Sequence, residues 1–506
     1  MKEFDLAVIG SGVGLSLIEV ALNRGLTCVL VEEGKFGGTC LTRGCIPSKI
    51  LVHPADLIRE TAHAARIGLD FQLVGMDWST IANRMWAKID ESANIEKSLT
   101  GVPGLTVLKG TGTFTGPFAM RVTARDGSEM EPFRAKRFIL APGARSAIPP
   151  IEGLEQAGYV VSETFFGEKF PDKPWKSLVI LGGGAIGCEF AHIFSAFGTQ
   201  VTVVEMLPRL AVNEEEEVSH MLERQFRASG IDVLTGHRAI SARPGKDGGK
   251  VVVVRDEVSG ATRELACEEI LVSTGVRSNA DRLAVEKTGV EVGPRGWIHT
   301  DAYLQTNVPG IWALGDINGK YQFRHKANYE ADVLAGNLFR PAGDPERKQV
   351  HYDAVPWAIF THPQIAHVGM TEAQAREKGG RLLVGYNHYS EVSKGYAMGY
   401  EPDDADDGFV KLIADENLRI LGVHIIGPNA AILIQPFVYL MNAGFSCTLP
   451  PPPEHGHAAR RQLTDAVHHC IEAGTISPIY ESMVIHPALS EVAAWVISGL
   501  RFVDEP

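Results

Sequence analysis

The chain has 506 residues, of which 45% are hydrophobic and 22% are charged, as in a soluble globular enzyme of roughly three or four domains. Its formal net charge of −13 argues against nucleic acid and anionic membranes as partners. No apolar run reaches transmembrane length, and the acidic start of the chain is unlike a signal peptide. Seven cysteines with a single motif-like pair indicate a reducing, cytoplasmic location.

The first predicted element is a strand, Leu6–Ile9, followed by the glycine-rich turn Gly10-Ser11-Gly12-Val13-Gly14-Leu15 and a helix. A second strand, Cys28–Val31, ends at Glu32 and completes a dinucleotide-binding fingerprint. The glycines let the backbone approach a pyrophosphate at the helix N-terminus, and Glu32 can accept hydrogen bonds from a ribose. Leu15 occupies the third glycine position, so we expect a less close approach of helix and strand there.

Two cysteines follow this fingerprint directly, in the stretch Gly37-Gly38-Thr39-Cys40-Leu41-Thr42-Arg43-Gly44-Cys45-Ile46-Pro47-Ser48-Lys49. On a regular helix, residues at this spacing are roughly 8.7 Å apart, which is too far for a disulfide. A bridge therefore needs an irregular backbone, which Gly44 can supply, and Pro47 suits the first turn of a following helix. A structural disulfide or a zinc site is the alternative, but nothing directs secretion and a second ligand pair is missing.

This stretch resembles the class I FAD-dependent pyridine nucleotide-disulfide oxidoreductases, and GGTC…GCIPSK is most similar to their dihydrolipoyl dehydrogenase branch. The resemblance implies that the first fingerprint binds FAD. It also implies further flavin contacts at Phe138–Gly143, where Pro142 replaces a usual threonine, and at Ile311–Asp316, whose Asp316 would meet the ribityl hydroxyls. His325-Lys326-Ala327 also follows the pattern of the family.

A second fingerprint begins with the predicted strand Leu178–Leu181 and continues through Gly182-Gly183-Gly184-Ala185-Ile186-Gly187 into a helix. The next strand, Val201–Val204, ends at Glu205. A carboxylate at this position accepts hydrogen bonds from ribose hydroxyls and repels a 2′-phosphate, which favours NAD over NADP. Two fingerprints in one chain indicate two dinucleotides, FAD and NAD.

From about residue 347, strands alternate with amphipathic helices, and this part is similar to the dimerisation domain of the family, which implies a homodimer. The acidic run Glu401–Asp407 is interpreted as a solvated loop, and Pro436 should kink the predicted helix Ala430–Asn442. Residues 446–477, with four consecutive prolines, are predicted to be an inserted surface segment. Its histidines and cysteine lack a fixed ligand spacing, so no metal site is predicted.

Near the C-terminus, His486-Pro487-Ala488-Leu489-Ser490-Glu491 resembles the acid–base element of the family. Thiol–disulfide exchange requires a thiolate, and an imidazole can accept a thiol proton near neutral pH. The resemblance implies that Cys40 exchanges with substrate, that Cys45 contacts the flavin, that Glu189 pairs with Lys49, and that partner-subunit histidines complete each site. The predicted catalytic residues are Cys40, Cys45, Lys49, Glu189, His486 and Glu491.

The predicted fold is α/β, with two Rossmann-like, doubly wound, three-layer dinucleotide-binding domains and a C-terminal α+β dimerisation domain. The predicted domains are residues 1–150 and 273–346 for FAD, 151–272 for NAD and 347–506 for dimerisation. The predicted FAD contacts are Gly10, Gly12, Gly14, Glu32, Gly38, Thr39, Lys49, Gly112, Gly143 and Asp316. The predicted NAD contacts are Gly182, Gly184, Gly187, Glu205 and Gly275.

The predicted activity is oxidation of a dihydrolipoyl dithiol, free or on a carrier protein, with NAD as acceptor. Arg43 and Leu15 depart from the lipoyl branch and leave a second reading open, reduction of a low-molecular-weight disulfide such as mycothione or glutathione by NAD(P)H. A redox-inactive flavoprotein that serves as a structural subunit is a third reading. The intact pair of cysteines and the C-terminal His and Glu argue against it.

Overall fold

The computed structural model describes residues 1–402, 404–415, 419–442 and 481–486, which divide between two compact units. The first unit comprises Met1–Thr61, Gln72–Ala211 and Phe226–Val350. The second comprises Ala62–Phe71, Val212–Gln225 and the described residues from His351 onward. The predicted insertion at 446–477 lies outside the described residues.

The first unit contains a five-stranded parallel sheet with the first fingerprint strand in its middle. All four residues of this strand are buried, as expected for a parallel strand covered on both faces. On one face, Phe114 and Phe133 from a neighbouring four-stranded sheet pack against Phe138. From edge to edge, the strands of the parallel sheet are Ile311–Ala313, Phe138–Leu140, Leu6–Ile9, Cys28–Glu32 and Leu105–Lys109.

The second fingerprint forms a separate four-stranded parallel sheet in the same unit. Its strands, from edge to edge, are Asp232–Thr235, Gln200–Glu205, Ser177–Leu181 and Glu269–Val272. A three-stranded antiparallel sheet shares an apolar core with it, through Val252, Val254 and Leu265. Both fingerprints therefore have the parallel α/β arrangement that their glycine spacing predicts.

The remaining strands of the first unit form small sheets around these two. The four-stranded sheet consists of Lys2–Phe4, Phe133–Ala135, Ala119–Thr123 and Thr111–Gly116, the three-stranded sheet of His237–Pro244, Lys250–Asp256 and Thr262–Cys267, and a ribbon of Ala144–Ser146 and Val276–Ser278. The helices up to residue 337 are Leu15–Leu22, Gly38–Thr42, Cys45–His63, Trp78–Ile89, Glu91–Leu99, Leu154–Ala157, Ser162–Phe165, Ala185–Ala196, Glu216–Ala228, Ala280–Leu283 and Arg324–Asn337.

The second unit is built on a five-stranded antiparallel sheet. Its strands, from edge to edge, are Pro356–Ile359, Gln364–Gly369, Ile420–Gly427, Phe409–Asp415 and Leu382–His388. The described helices from residue 351 onward are Glu372–Lys378, Ser393–Ala397, Ala430–Leu433 and Gln435–Asn442. The break before Gln435 confirms the predicted interruption near Pro436, because proline fits the first turn of a helix and not its interior.

The acidic run between residues 401 and 407 is not the simple solvated loop that its charge predicts. Asp407 is buried and accepts hydrogen bonds from the backbone N–H of Ser390 at 2.9 Å and from its hydroxyl at 2.5 Å. Asp404 and Asp406 both pair with Arg66, at 3.2 and 2.9 Å. Among the described residues, no helix combines the length and apolar character needed to cross a bilayer.

Candidate functional site

The two motif cysteines lie on different helices that meet at a break in the backbone. Cys40 is in the helix Gly38–Thr42, and Cys45 begins the helix Cys45–His63. Glycine is favoured at position 44 by a close approach rather than by a positive φ, since a Cβ there would lie 3.1 Å from the Thr39 carbonyl oxygen. This break replaces the regular helix that would hold the two sulfurs apart.

The Cys40 thiol is buried and hydrogen-bonded to Cys45. That hydrogen bond and burial raise the pKa of Cys40, whereas the positive charges of Arg324 and Lys49 act in the opposite direction. Cys45 is more exposed than Cys40. The pair is therefore an adjacent dithiol with cations beside it, which suits thiol–disulfide exchange. The other described cysteines, Cys28, Cys188 and Cys267, are buried.

Lys49 lies one helical turn after Cys45 and forms an ion pair with Glu189. Its Nζ donates to both carboxylate oxygens, at 2.6 and 2.8 Å. Only 20% of the Lys49 side chain and 10% of the Glu189 side chain are exposed, so the pair is poorly screened by water. The predicted contact between these two residues is present.

In both fingerprints, the acidic residue that ends the second strand binds the glycine-rich turn. Glu32 accepts from the backbone N–H of Ser11 at 2.8 Å and of Gly34 at 2.6 Å. Glu205 accepts from the backbone N–H of Gly183 at 2.6 Å and of Leu207 at 2.8 Å. A carboxylate has about four acceptor positions, so each retains capacity for ribose hydroxyls.

Each fingerprint contains a glycine at which a side chain would meet neighbouring atoms. In the second, a Cβ on Gly187 would overlap the carbonyl oxygen of Gly182, so only glycine fits. In the first, the close approach occurs at Gly14, where a Cβ would lie 2.6 Å from Val8 Cγ1 and 3.0 Å from the Gly10 oxygen. Position 15, which corresponds to Gly187, holds Leu15, so the expectation of a less close approach there stays a prediction.

The first fingerprint opens into a cleft whose empty space, including the part open to solvent, is about 1110 Å³. Arg43, Arg282 and Arg324 also lie on its wall. Of the predicted FAD contacts, Gly14 and Lys49 are not among the wall residues. The predicted residues that line the cleft are Gly10, Gly12, Glu32, Gly38, Thr39, Cys40, Cys45, Gly112, Gly143 and Asp316.

The residues around this cleft fit a dinucleotide. The helix Leu15–Leu22 has no side-chain cap, so its first N–H groups are available to an anion such as a pyrophosphate. Residues from the ends of three strands of the parallel sheet line the cleft, at Gly10, Ala141 and Leu314. Open α/β sheets bind dinucleotides at this edge.

A buried ion-pair network supports the loop that carries Asp316. Lys326 and Glu330 are fully buried, and Lys326 Nζ donates to the Gly315 oxygen at 2.9 Å, to Asn318 Oδ1 at 2.8 Å and to Glu330 Oε2 at 3.1 Å. Glu330 also accepts from the Gly315 N–H at 2.7 Å and from Asn318 Nδ2 at 2.7 Å. Burial raises the pKa of Asp316 to about 6, with Glu330 adding to the effect and Lys326 opposing it.

Sequence reasoning missed Glu330 and Asn318. The signal was available, because Lys326 and Glu330 are four residues apart in the helix Arg324–Asn337 and so share one helical face. It also missed Glu163, which forms an ion pair with Arg43 at the redox motif. No spacing in the sequence links those two positions, 120 residues apart.

The predicted C-terminal acid–base residues are only partly described. His486 is half-buried in the second unit, and Glu491 lies outside the described residues. Gly275, at the return from the second parallel sheet, accepts a backbone hydrogen bond from Ala147 at 2.9 Å. The roles assigned to these residues stay predictions.

Comparison with known proteins identifies relatives along the whole chain. Residues 4–331 match the family described as pyridine nucleotide-disulphide oxidoreductase, and residues 355–449 match the dimerisation domain of that family. The chain is 31% identical to dihydrolipoyl dehydrogenase of Chlamydia muridarum, covering 100% of this chain and 98% of the relative. It is 34% identical to mycothione reductase of Mycobacterium tuberculosis, covering 99% and 100%.

A solved structure with the same fold is the Cu(II) complex of the HOCl-induced flavoprotein disulfide reductase RclA from Escherichia coli. Its TM-score is 0.72 at 22% identity, and the match covers 99% of this chain and 100% of that one. At this identity the likeness supports the fold alone. The family matches, the full-length relatives and the redox motif lead to one assignment. The chain belongs to the pyridine nucleotide-disulphide oxidoreductase family, as a class I flavoprotein disulfide oxidoreductase that depends on FAD and a nicotinamide dinucleotide.

Proposed function

We propose that the protein is a dihydrolipoyl dehydrogenase that oxidises a dihydrolipoyl dithiol and reduces NAD. The observation that carries the proposal is the Cys40–Cys45 pair on the wall of the dinucleotide cleft, with the Lys49–Glu189 ion pair one helical turn away. A dithiol substrate would exchange with a Cys40–Cys45 disulfide, so that the substrate becomes a disulfide and the two cysteines become thiols.

The cleft residues fit FAD, and we assign its contacts accordingly. Gly10 and Gly12 would lie against the pyrophosphate, Glu32 would bind the adenosine ribose, and Asp316 would bind the ribityl chain. Bound FAD would take two electrons from the reduced cysteine pair and supply them as a hydride to the nicotinamide. The positive charge of Lys49, held by Glu189, would favour negative charge developing in the cleft.

His486 would act as the base that accepts the thiol proton of the substrate, with Glu491 orienting its imidazole. Both residues follow the matched dimerisation domain, residues 355–449, along the chain. We infer a homodimer in which each active site takes its base from the other subunit. Such an interface is two-fold, so each dimer would hold two composite sites.

We propose NAD rather than NADP as the acceptor. Glu205 is buried beside the Gly183 turn, where its carboxylate meets backbone N–H groups. A 2′-phosphate at this position would place two negative charges in a poorly hydrated site, which is unfavourable. The same carboxylate would accept hydrogen bonds from the 2′-hydroxyl of NAD.

Reduction of mycothione is the second candidate. Two observations favour it: a mycothione reductase is 34% identical over the full length, and Arg43 lies on the wall of the cleft beside the cysteines. The ion pair with Glu163 positions the Arg43 guanidinium, which could bind a polar disulfide substrate better than a lipoyl chain.

A panel of substrates separates these candidates. The purified protein is assayed with dihydrolipoamide and NAD in one direction, and with mycothione, glutathione disulfide or lipoamide and NADH or NADPH in the other. We expect the highest kcat/KM with dihydrolipoamide and NAD. A higher value with mycothione would replace the proposal by the second candidate, and no turnover with any thiol or disulfide would favour a structural subunit.

A further inference from the structure

A row of polar and aromatic side chains crosses the antiparallel sheet of the second unit. In the strand register, His367 lies opposite Trp357 on one side and opposite His424 on the other, and His424 lies opposite Lys411. Residues paired in this way share one face of a sheet. His367, His424 and Lys411 are all buried, which is unusual for a row of titratable side chains.

An acidic segment of the same unit covers this row. Glu214 accepts a hydrogen bond from Trp357 Nε1 at 2.5 Å, and its other oxygen lies 2.7 Å from His367 Nδ1. The next residue, Glu215, pairs with Lys411 Nζ at 2.8 Å. Glu214 is buried, so its carboxylate is hydrogen-bonded to an indole and an imidazole in place of water.

His424 has one buried nitrogen without a hydrogen-bond partner. Its Nε2 lies 2.9 Å from the Met370 carbonyl oxygen and can only donate to it, so in the neutral ring Nδ1 carries the lone pair. Nδ1 is buried and has no hydrogen-bond partner in the described structure, and the side chain is 0% exposed. A buried acceptor without a donor is unfavourable by about 1–3 kcal/mol, so a donor or a cation is expected to meet it.

We propose that Glu214, His367 and His424 form a binding site for a divalent transition-metal ion of the Zn²⁺ class. Each residue offers one ligand atom, and these three atoms lie within 4.8 Å of one another. Two imidazoles and one carboxylate are a ligand set that zinc prefers, with a fourth position open to water. We take Nδ1 as the ligand atom of His424. The hydrogen bond from its Nε2 to the Met370 carbonyl is then the arrangement that orients metal-binding histidines.

The geometry requires only a local adjustment. Tetrahedral zinc with bonds of about 2.0–2.2 Å places its ligand atoms roughly 3.4 Å apart, so the widest pair would close by up to roughly 1.4 Å. His367 and His424 are paired on adjacent strands, so rotation of their side chains can supply this movement without a change in strand register. A bound cation would also take the place of the proton in the hydrogen bond between Glu214 and His367 Nδ1.

The competing interpretation is a metal-free hydrogen-bonded cluster. It accounts for Glu214 and His367, which satisfy each other, but it leaves the buried Nδ1 of His424 without a partner. The metal interpretation accounts for all three side chains. A bound ion would also fasten the segment around Glu214 to the sheet, so it should stabilise the second unit.

The test compares zinc binding in the FAD-loaded, full-length protein with that in a His367→Gln/His424→Gln variant. The parent and all variants carry Cys40→Ser and Cys45→Ser, which remove the redox thiols. In all of them, His455, His457, His468 and His469 are also replaced by Gln and Cys470 by Ser, so that these side chains cannot bind zinc. His192→Gln in the same background is the matched control, because His192 is also buried and pairs with the Asp56 carboxylate at 2.8 Å.

After dialysis against EDTA and equilibration with Zn²⁺, elemental analysis should find about one more zinc per chain in the parent and the His192 control than in the double variant. Zinc X-ray absorption should show nitrogen and oxygen ligands. Zinc should raise the melting temperature of the parent and of the His192 control but not that of the double variant. The proposal is overturned if the double variant binds as much zinc as the parent, or if the parent binds none. Single variants with normal FAD content separate loss of the site from misfolding.

Discussion

Gly187 provides a sharp test of how the second fingerprint is built. Substitution by alanine adds one methyl group inside the helix Ala185–Ala196. That carbon would overlap the carbonyl oxygen of Gly182 and lie 2.8 Å from Ser273 Oγ. Both neighbours belong to the turn and the strand end of the second fingerprint, so the helix must move away from the sheet.

The change in local stability is the sum of two unfavourable contributions and one favourable contribution. Overpacking against backbone costs about 1–3 kcal/mol, and this contact belongs at the upper end because a carbonyl cannot rotate away. Displacement of Gly182 also removes the hydrogen bond from Ser273 Oγ to its oxygen, at 3.0 Å, which contributes about 1 kcal/mol. Alanine returns about 1 kcal/mol of helix propensity. The net local loss is about 2–3 kcal/mol.

Hydrogen exchange measured by mass spectrometry resolves this loss, because it reports local opening rather than global unfolding. Amides of the strands Ser177–Leu181 and Gln200–Glu205 should exchange roughly 30- to 150-fold faster in Gly187→Ala. Gly184→Ala is the control, since a Cβ there meets nothing within 4 Å and φ is −77°. Wild-type exchange in Gly187→Ala, or equal acceleration in both variants, would refute the reasoning.

Three further predictions concern the redox centre, the choice of dinucleotide and the assembly. Cys40→Ser should lose turnover but retain a long-wavelength absorbance band from a Cys45 thiolate beside the flavin, whereas Cys45→Ser should lose the band, and identical spectra would contradict the assignment. Glu205→Gln should narrow the preference for NAD over NADP by at least tenfold in kcat/KM, because the repelling charge is removed, and an unchanged ratio would show that another group selects the dinucleotide. Mixed dimers of Cys40→Ser and His486→Ala subunits should recover about half of the wild-type activity, because one of their two composite sites is intact. Inactive mixed dimers that still bind FAD would place the base in the same chain as the thiols.

The sequence was most informative where short-range spacing determines the structure. The glycine turns, the buried strands beside them and the acidic residues Glu32 and Glu205 could be placed from spacing alone, because each fingerprint lies within one βαβ unit. The break between Cys40 and Cys45 could also be predicted, since a regular helix would separate their sulfurs. The contact of Lys49 with Glu189 was expected only from the resemblance to the family.

The parts that could not be predicted depend on contacts between distant segments. Glu214, His367 and His424 come from three separated stretches and meet only because strand register and a covering segment bring them together. Arg43 and Glu163 are linked in the same way. Asp407 looked like part of a solvated acidic run, but the donors of Ser390 make its burial favourable.

The network around Lys326 has a consequence for the exchange of the flavin. An ammonium group has three hydrogens, and those of Lys326 all bind protein acceptors, so none is left for a ligand. The loop that presents Asp316 is therefore held in shape by the protein itself and does not depend on the flavin for its conformation. Removal of the flavin should leave this loop ordered, and the apoprotein should recover activity on simple addition of FAD, without a slow refolding phase.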